Sequence, residues 1–127
     1  MIRDRIYLAA DFLGSALKAI CPYDTGNLCN SIRVYETEQG VFVGIGDETT
    51  PYENKDTTVN YVAIKTNEPW KHGNNPNEGW IERGINSALE TMGQILGGDL
   101  TDEEVRELIM ENEQRLYERQ QDKAAEL

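Results

Sequence analysis

Few side chains in this sequence have types that could make or break a bond. His72 is the single histidine, and it lies in a polar stretch rich in asparagine and glycine. A general base needs a partner that orients its ring, and no neighbouring pattern supplies one. Cys21 and Cys29 stand eight positions apart with no second pair, too few for the four-ligand set of a structural zinc site. A disulfide between them is possible but disfavoured in a reducing compartment, so the pair reads first as free thiols in or near the core. Gly44-Ile45-Gly46 lacks the third glycine and following helix of a phosphate-binding loop. Ser31 and Ser87 sit in no nucleophile-elbow pattern. The carboxylates are abundant, but those of the C-terminal segment fall mainly on one side of a helix, where a solvated face explains them. The expectation is a chain that is not an enzyme, with no catalytic residue, metal or cofactor.

The elements that carry these residues follow from periodicity. Ile2, Ile6, Ala9, Ala10, Leu13, Leu17 and Ile20 recur at three- and four-residue steps, which predicts an N-terminal amphipathic helix. Pro22 stops it, because proline has no amide proton and disfavours helical geometry in the residue before it. Tyr23-Asp24-Thr25-Gly26-Asn27 is a cluster of turn and cap formers, and a helical turn through Leu28–Ser31 follows with Asp24 or Thr25 as its cap. Ile32 and Val34, then Val41, Val43 and Ile45, alternate around a turn at Glu38-Gln39-Gly40, a hairpin pattern. Residues 47–60 and 67–77 read as long polar loops, with a short third strand over Tyr61–Lys65 between them. Trp80 opens a second long helix, with Ile81, Ile85, Ala88, Leu89, Met92, Ile95 and Leu96 at helical spacing and Gly97-Gly98 as its end. Thr101-Asp102-Glu103-Glu104 is a capping box that starts a helix running to about Ala125. The expected fold is α+β: an N-terminal helix, a three-stranded antiparallel sheet, a core helix and an acidic C-terminal helix. Residues 1–97 form the α+β domain and 98–127 the acidic addition.

Net charge is −11 over 127 residues, the opposite of the balance that phosphate contacts require. Residues 98–127 hold ten Asp or Glu against four Lys or Arg, a net of −6, and residues 1–97 hold thirteen against eight, a net of −5. Gripping DNA is disfavoured, whereas a wall that DNA slides past is compatible with this charge. No apolar run approaches the ~20 residues of a bilayer crossing, and the charge-punctuated N-terminus does not resemble a signal peptide. A cytoplasmic origin is expected, with no membrane partner.

Within Cys21-Pro22-Tyr23-Asp24-Thr25-Gly26-Asn27-Leu28-Cys29-Asn30-Ser31-Ile32, the order of Pro22, Asp24, Thr25, Gly26, Leu28, Ser31 and Ile32 resembles a signature of phage morphogenesis proteins. These are the neck, tail-completion or head–tail joining proteins of long-tailed phages. Tyr61-Val62-Ala63 is similar to the family's aromatic-and-alanine strand, and Asn75-Pro76-Asn77-Glu78-Gly79-Trp80-Ile81 is similar to its proline loop and aromatic helix start. The likeness spans roughly residues 1–96. Lys65-Thr66-Asn67 departs from the family's glycine-threonine, and the helix from Thr101 is extra.

The resemblance implies a structural virion protein of the neck or tail, assembled in the host cytoplasm, which joins head to tail and lets DNA pass. Its implied partners are copies of itself in a ring, sixfold or twelvefold, other neck, connector or tail-terminator proteins, and genome DNA in passive contact within the lumen. Trp70, beside Pro69, is a candidate contact for a neighbouring subunit. Trp80 reads first as an anchor against the sheet and belongs to the same candidate interface. Leu108, Ile109 and Leu116 complete it, as a narrow apolar stripe on a charged rod that calls for a partner outside its own domain. The rival reading is a phage-encoded acidic inhibitor or regulator of a host protein.

Overall fold

The computed structural model describes residues 2–23, 26–45, 66–69 and 71–125. In chain order its elements are α1 (Ile2–Ile20), α2 (Asn27–Asn30), β1 (Arg33–Thr37), β2 (Gly40–Gly44), α3 (Trp80–Leu96) and α4 (Asp102–Ala125). The class is α+β, as expected. The sheet has two strands among the described residues, and the third strand expected over 61–65 lies outside them.

α1 ends at Ile20, two residues before Pro22, as the proline requires. Beyond α2, β1 and β2 pair antiparallel in the register Val34↔Val43 and Thr37↔Gly40. The turn is therefore Glu38-Gln39, one residue tighter than the turn chemistry suggests, with Gly40 opening β2 at a φ of 148°. Register sends Val34 and Val43 to one face, toward Gly14 of α1, and Tyr35 and Phe42 to the other.

α3 ends in a Schellman motif. The Asp99 amide donates to the Gln94 carbonyl at 2.9 Å and the Gly98 amide to the Ile95 carbonyl at 3.1 Å. α4 begins with the predicted capping box: the Glu104 amide donates to Thr101 Oγ1, and the Thr101 amide donates to Glu104 Oε1, both at 3.1 Å.

The three long helices pack together. α1 and α3 run antiparallel, since Leu17 and Ile20 lie beside Gly84 while Ala9 and Phe12 share a cluster with Ala88 and Ile95. A Cβ built on Gly84 would stand 2.6 Å from Leu17 Cδ2, so glycine there permits the close crossing. α4 runs parallel to α1 in a register marked by three contacts. Arg5 pairs with Asp102 at 3.4 Å, Asn112 Nδ2 donates to Ser15 Oγ at 3.0 Å, and Arg119 donates to the Ala19 carbonyl at 2.8 Å.

Two clusters form the core. One gathers Leu17, Cys21, Leu28, Cys29, Ile32, Trp80 and Leu116; the other gathers Ala9, Phe12, Ala88, Ile95 and Val105. Val105 and Leu116 belong to α4, so the acidic helix is part of the chain's own core. That corrects the expectation of a helix whose stripe waits for another subunit. α1 has an apolar flank left over after α3 and the hairpin have docked, and α4 fills it.

Truncating Leu116 therefore creates a cavity at the meeting point of α1, α2, α3 and α4. Leu116→Ala should lower the free energy of global unfolding by about 2–5 kcal/mol, read as a lower denaturant midpoint at unchanged slope. A projecting rod would instead show a change within about 0.5 kcal/mol.

Candidate functional site

The residues of the Pro22–Ile32 motif form the junction between helix and hairpin. The Cys21 amide continues the helical bonding to the Leu17 carbonyl at 2.8 Å, and the Asn30 amide reaches the Gly26 carbonyl at 2.9 Å. Gly26 is buried at a φ of 91°, with the Tyr23 ring over its Cα. A side chain there would strain the backbone and strike that ring. Leu28 and Ile32 are buried as plugs, and Ser31 turns its hydroxyl back onto the Leu28 carbonyl at 2.6 Å. Pro22 is half-buried. Asp24 and Thr25, the candidate caps, lie outside the described residues.

Beside this junction, Arg119 closes the open end of α1. Its guanidinium donates to the Lys18, Ala19 and Cys21 carbonyls, groups that a helix C-terminus leaves without intrahelical partners. The two thiols sit in the same place, both fully buried and free. The hydrogen bond it gives to Cys29, and then burial, push the Cys21 thiol well above the ordinary range. Cys29 moves the other way, first through that shared hydrogen bond and then through Arg119.

A second polar network holds the loop ahead of α3. Asn75 is buried; its Nδ2 donates to the Thr66 and Glu68 carbonyls at 2.9 and 2.7 Å, and its Oδ1 accepts from the Asn77 amide at 3.0 Å. Asn67 Oδ1 accepts from the Ile81 amide at 2.9 Å, the bond an N-cap side chain usually supplies, here delivered from fourteen residues away. Trp80 Nε1 donates to Thr66 Oγ1 at 3.0 Å. Trp80 is 0% exposed, which makes it an internal anchor and removes it as a subunit contact. Leu116 leaves the candidate interface for the same reason. Leu108 and Ile109 are half-buried against the second core cluster. Trp70 lies outside the described residues.

His72 is exposed. Among the described residues no three His, Cys, Asp or Glu side chains come close enough to hold a metal ion, and no helix is long and apolar enough to cross a membrane. A small cleft of ≈140 Å³ opens between α1, β1 and α4, with Asp11, Lys18, Arg33 and Glu113 at its rim and Ser15 in its wall. Burial raises the Asp11 carboxyl above its ordinary 3.8, outweighing the opposing pull of Arg106 and Lys18.

Large apolar side chains remain at the surface on two unlike faces. Ile85, Leu89 and Leu96 line the outer side of α3, with Leu89 55% exposed. Tyr35 and Phe42 stack on the open face of the hairpin with ring centroids 5.6 Å apart. Sequence reasoning missed Arg119, Ser15, Asn112, Asn67 and Asn75. Asn112 alone carried a signal, as a polar residue in step with Val105, Ile109 and Leu116 on the apolar stripe of α4.

Two outcomes follow from these environments. A carboxyl whose folded-state value is raised adds stability while protonated and loses it as pH rises through that value. Asp11→Asn should therefore melt higher than the parent at neutral pH, with the gap closing as pH falls below the carboxyl range; a constant gap would refute the assignment. Asn75→Ala leaves the Asn77 amide without its acceptor and should cost about 1–3 kcal/mol, with faster hydrogen exchange at that amide as the local readout. No family model, curated protein or solved structure matches the chain.

Proposed function

We propose that this chain is a non-enzymatic structural protein of a tailed-phage virion, a neck or tail-completion subunit that forms a ring between head and tail. The observation that carries the reading is the pair of unlike apolar faces, the outer stripe of α3 and the Tyr35–Phe42 stack. A ring is built from a heterologous contact, which needs two different patches on one subunit, and grouped exposed apolar residues are a mark of protein contact. The phage-like motif supports it from the other side. Gly26, Leu28, Ser31 and Ile32 are buried, so they hold the scaffold and leave its faces for assembly. The carboxylates of α4, set along the ring's lumen, would repel phosphate and let DNA pass without adhering.

Particles made without this chain should appear in negative stain as separate heads and tails. Supplying the parent protein should restore joining, while Leu89→Glu should restore it at least about tenfold less well, because burying an unpaired charge costs more than the ~1.4 kcal/mol that a factor of ten requires. The variant should keep the parent's melting temperature, since Leu89 lies on the surface. Joined, infectious particles in the absence of the chain would overturn the reading and favour the inhibitor of a host protein.

A further inference from the structure

The assembly role makes no use of Cys21 and Cys29, yet the fold brings them together. Cys21 follows the last turn of α1 and Cys29 lies in α2, and the fold returns the second thiol to the first. Each Sγ lies 3.6 Å from the Pro22 carbonyl oxygen, and Cys29 Sγ is also 3.6 Å from the Cys21 carbonyl oxygen. The two thiols influence each other's ionisation, Cys21 being pushed up and Cys29 down. Two sulfurs that share one carbonyl oxygen belong to residues that the fold holds as close neighbours, which a disulfide requires.

We propose that Cys21 and Cys29 are an oxidisable pair that closes an intrachain disulfide, a covalent staple across the helix-to-hairpin junction. The oxidant is a small-molecule disulfide. Cys29 attacks first, because the hydrogen bond from Cys21 and the Arg119 guanidinium favour its thiolate. Its sulfur bonds to one sulfur of the reagent, and the other departs as a thiolate. Cys21 then gives up its proton and attacks the Cys29 sulfur, expelling the second small thiolate. The protein loses two hydrogens and two electrons, and the reagent gains them as two thiols. Both sulfurs are buried, so the exchange proceeds through local opening that exposes the end of α1 and α2. Once formed, the bridge restricts the unfolded chain and holds α2 to the end of α1.

The test incubates the native full-length protein with oxidised glutathione, alkylates remaining thiols under denaturing conditions, and weighs the intact chain. The expected product is a monomer lighter by two hydrogens, bearing neither glutathione nor an alkyl group. Its Tm should rise independently of protein concentration and return on reduction. Cys21→Ala and Cys29→Ala should each retain one thiol, alkylated or carrying glutathione. Two alkylatable thiols after prolonged exposure, a persistent glutathione adduct on the parent, covalent dimers, or a bridge that lowers Tm would each overturn the proposal.

Discussion

A helix that is apolar around most of its circumference must be covered from several directions, and α1 is such a helix. Ala9, Ala10, Phe12, Leu17 and Ala19 are buried, with Leu8, Leu13 and Ala16 partly so, and no single partner can reach all of them. The hairpin covers the side at Gly14, α3 covers the side at Leu17 and Ala9, and α4 covers the side at Ser15 and Ala19. These partners come from the middle and the far end of the chain. The core is therefore completed only when the last helix docks, and the chain's folding depends on long-range contacts that local propensity cannot supply.

Apolar burial brings helices together without fixing how far one slides along the other; the polar contacts do that. Along α4 they fall at Asp102, Asn112 and Arg119, matched to Arg5, Ser15 and the end of α1. A slip by one turn would break the bond from Asn112 Nδ2 to Ser15 Oγ and leave that buried amide donor without its acceptor, at a cost of about 1–3 kcal/mol. The remaining polar atoms of the pair are satisfied within their own helices, Ser15 Oγ donating to the Phe12 carbonyl at 2.7 Å and Asn112 Oδ1 accepting from Arg115 at 3.2 Å. Among the described residues no buried side-chain nitrogen or oxygen lacks a partner. The Asn67 and Asn75 bonds play the same part for the loop, tying it to the start of α3 where Gly79 offers no side-chain cap of its own.

The elements that could be read from the sequence are those whose signals are local. Pro22, the Gly97-Gly98 pair and the Thr101–Glu104 box each act within a turn of the chain, so the ends of α1 and α3 and the start of α4 were predicted within a residue or two. The hairpin was legible from alternation, with Gly40 in the second strand instead of the turn and Ile32 and Ile45 just outside the strands. Pairing between distant segments was not legible. α4 looks too polar for a core helix because Asn112 and Arg119 occupy positions on its inner stripe; both are used for bonds to α1 that need the folded structure to be seen. Trp80 was legible as an anchor, whereas the cap that Asn67 donates to its helix was not. The convergence of Cys21 and Cys29 was hidden too, because Pro22 and the turn formers after it break any helix between them and the spacing matches no metal-ligand pattern.

In the proposed ring, charge decides which surface meets another copy with least repulsion. Every copy carries −11, and α4 concentrates acid along its outer side, with three carboxylates in its first turn alone. Its two exposed apolar residues, Met110 and Tyr117, stand apart among Glu107, Glu111, Glu113 and Glu118. Two such helices placed face to face would set like charges within a Debye length of about 8 Å at physiological salt. The outer stripe of α3 differs: Ile85, Leu89 and Leu96 follow one another at helical spacing, and the charges nearby on that helix, Glu82, Arg83 and Glu90, include both signs. A contact through α3 and the hairpin rings can exclude water without confining net charge, which in the proposed ring would leave α4 turned toward solvent or toward the lumen. The same inward use of Val105 and Leu116 that completes the core thus also removes α4 as the adhesive surface and leaves it as the charged one.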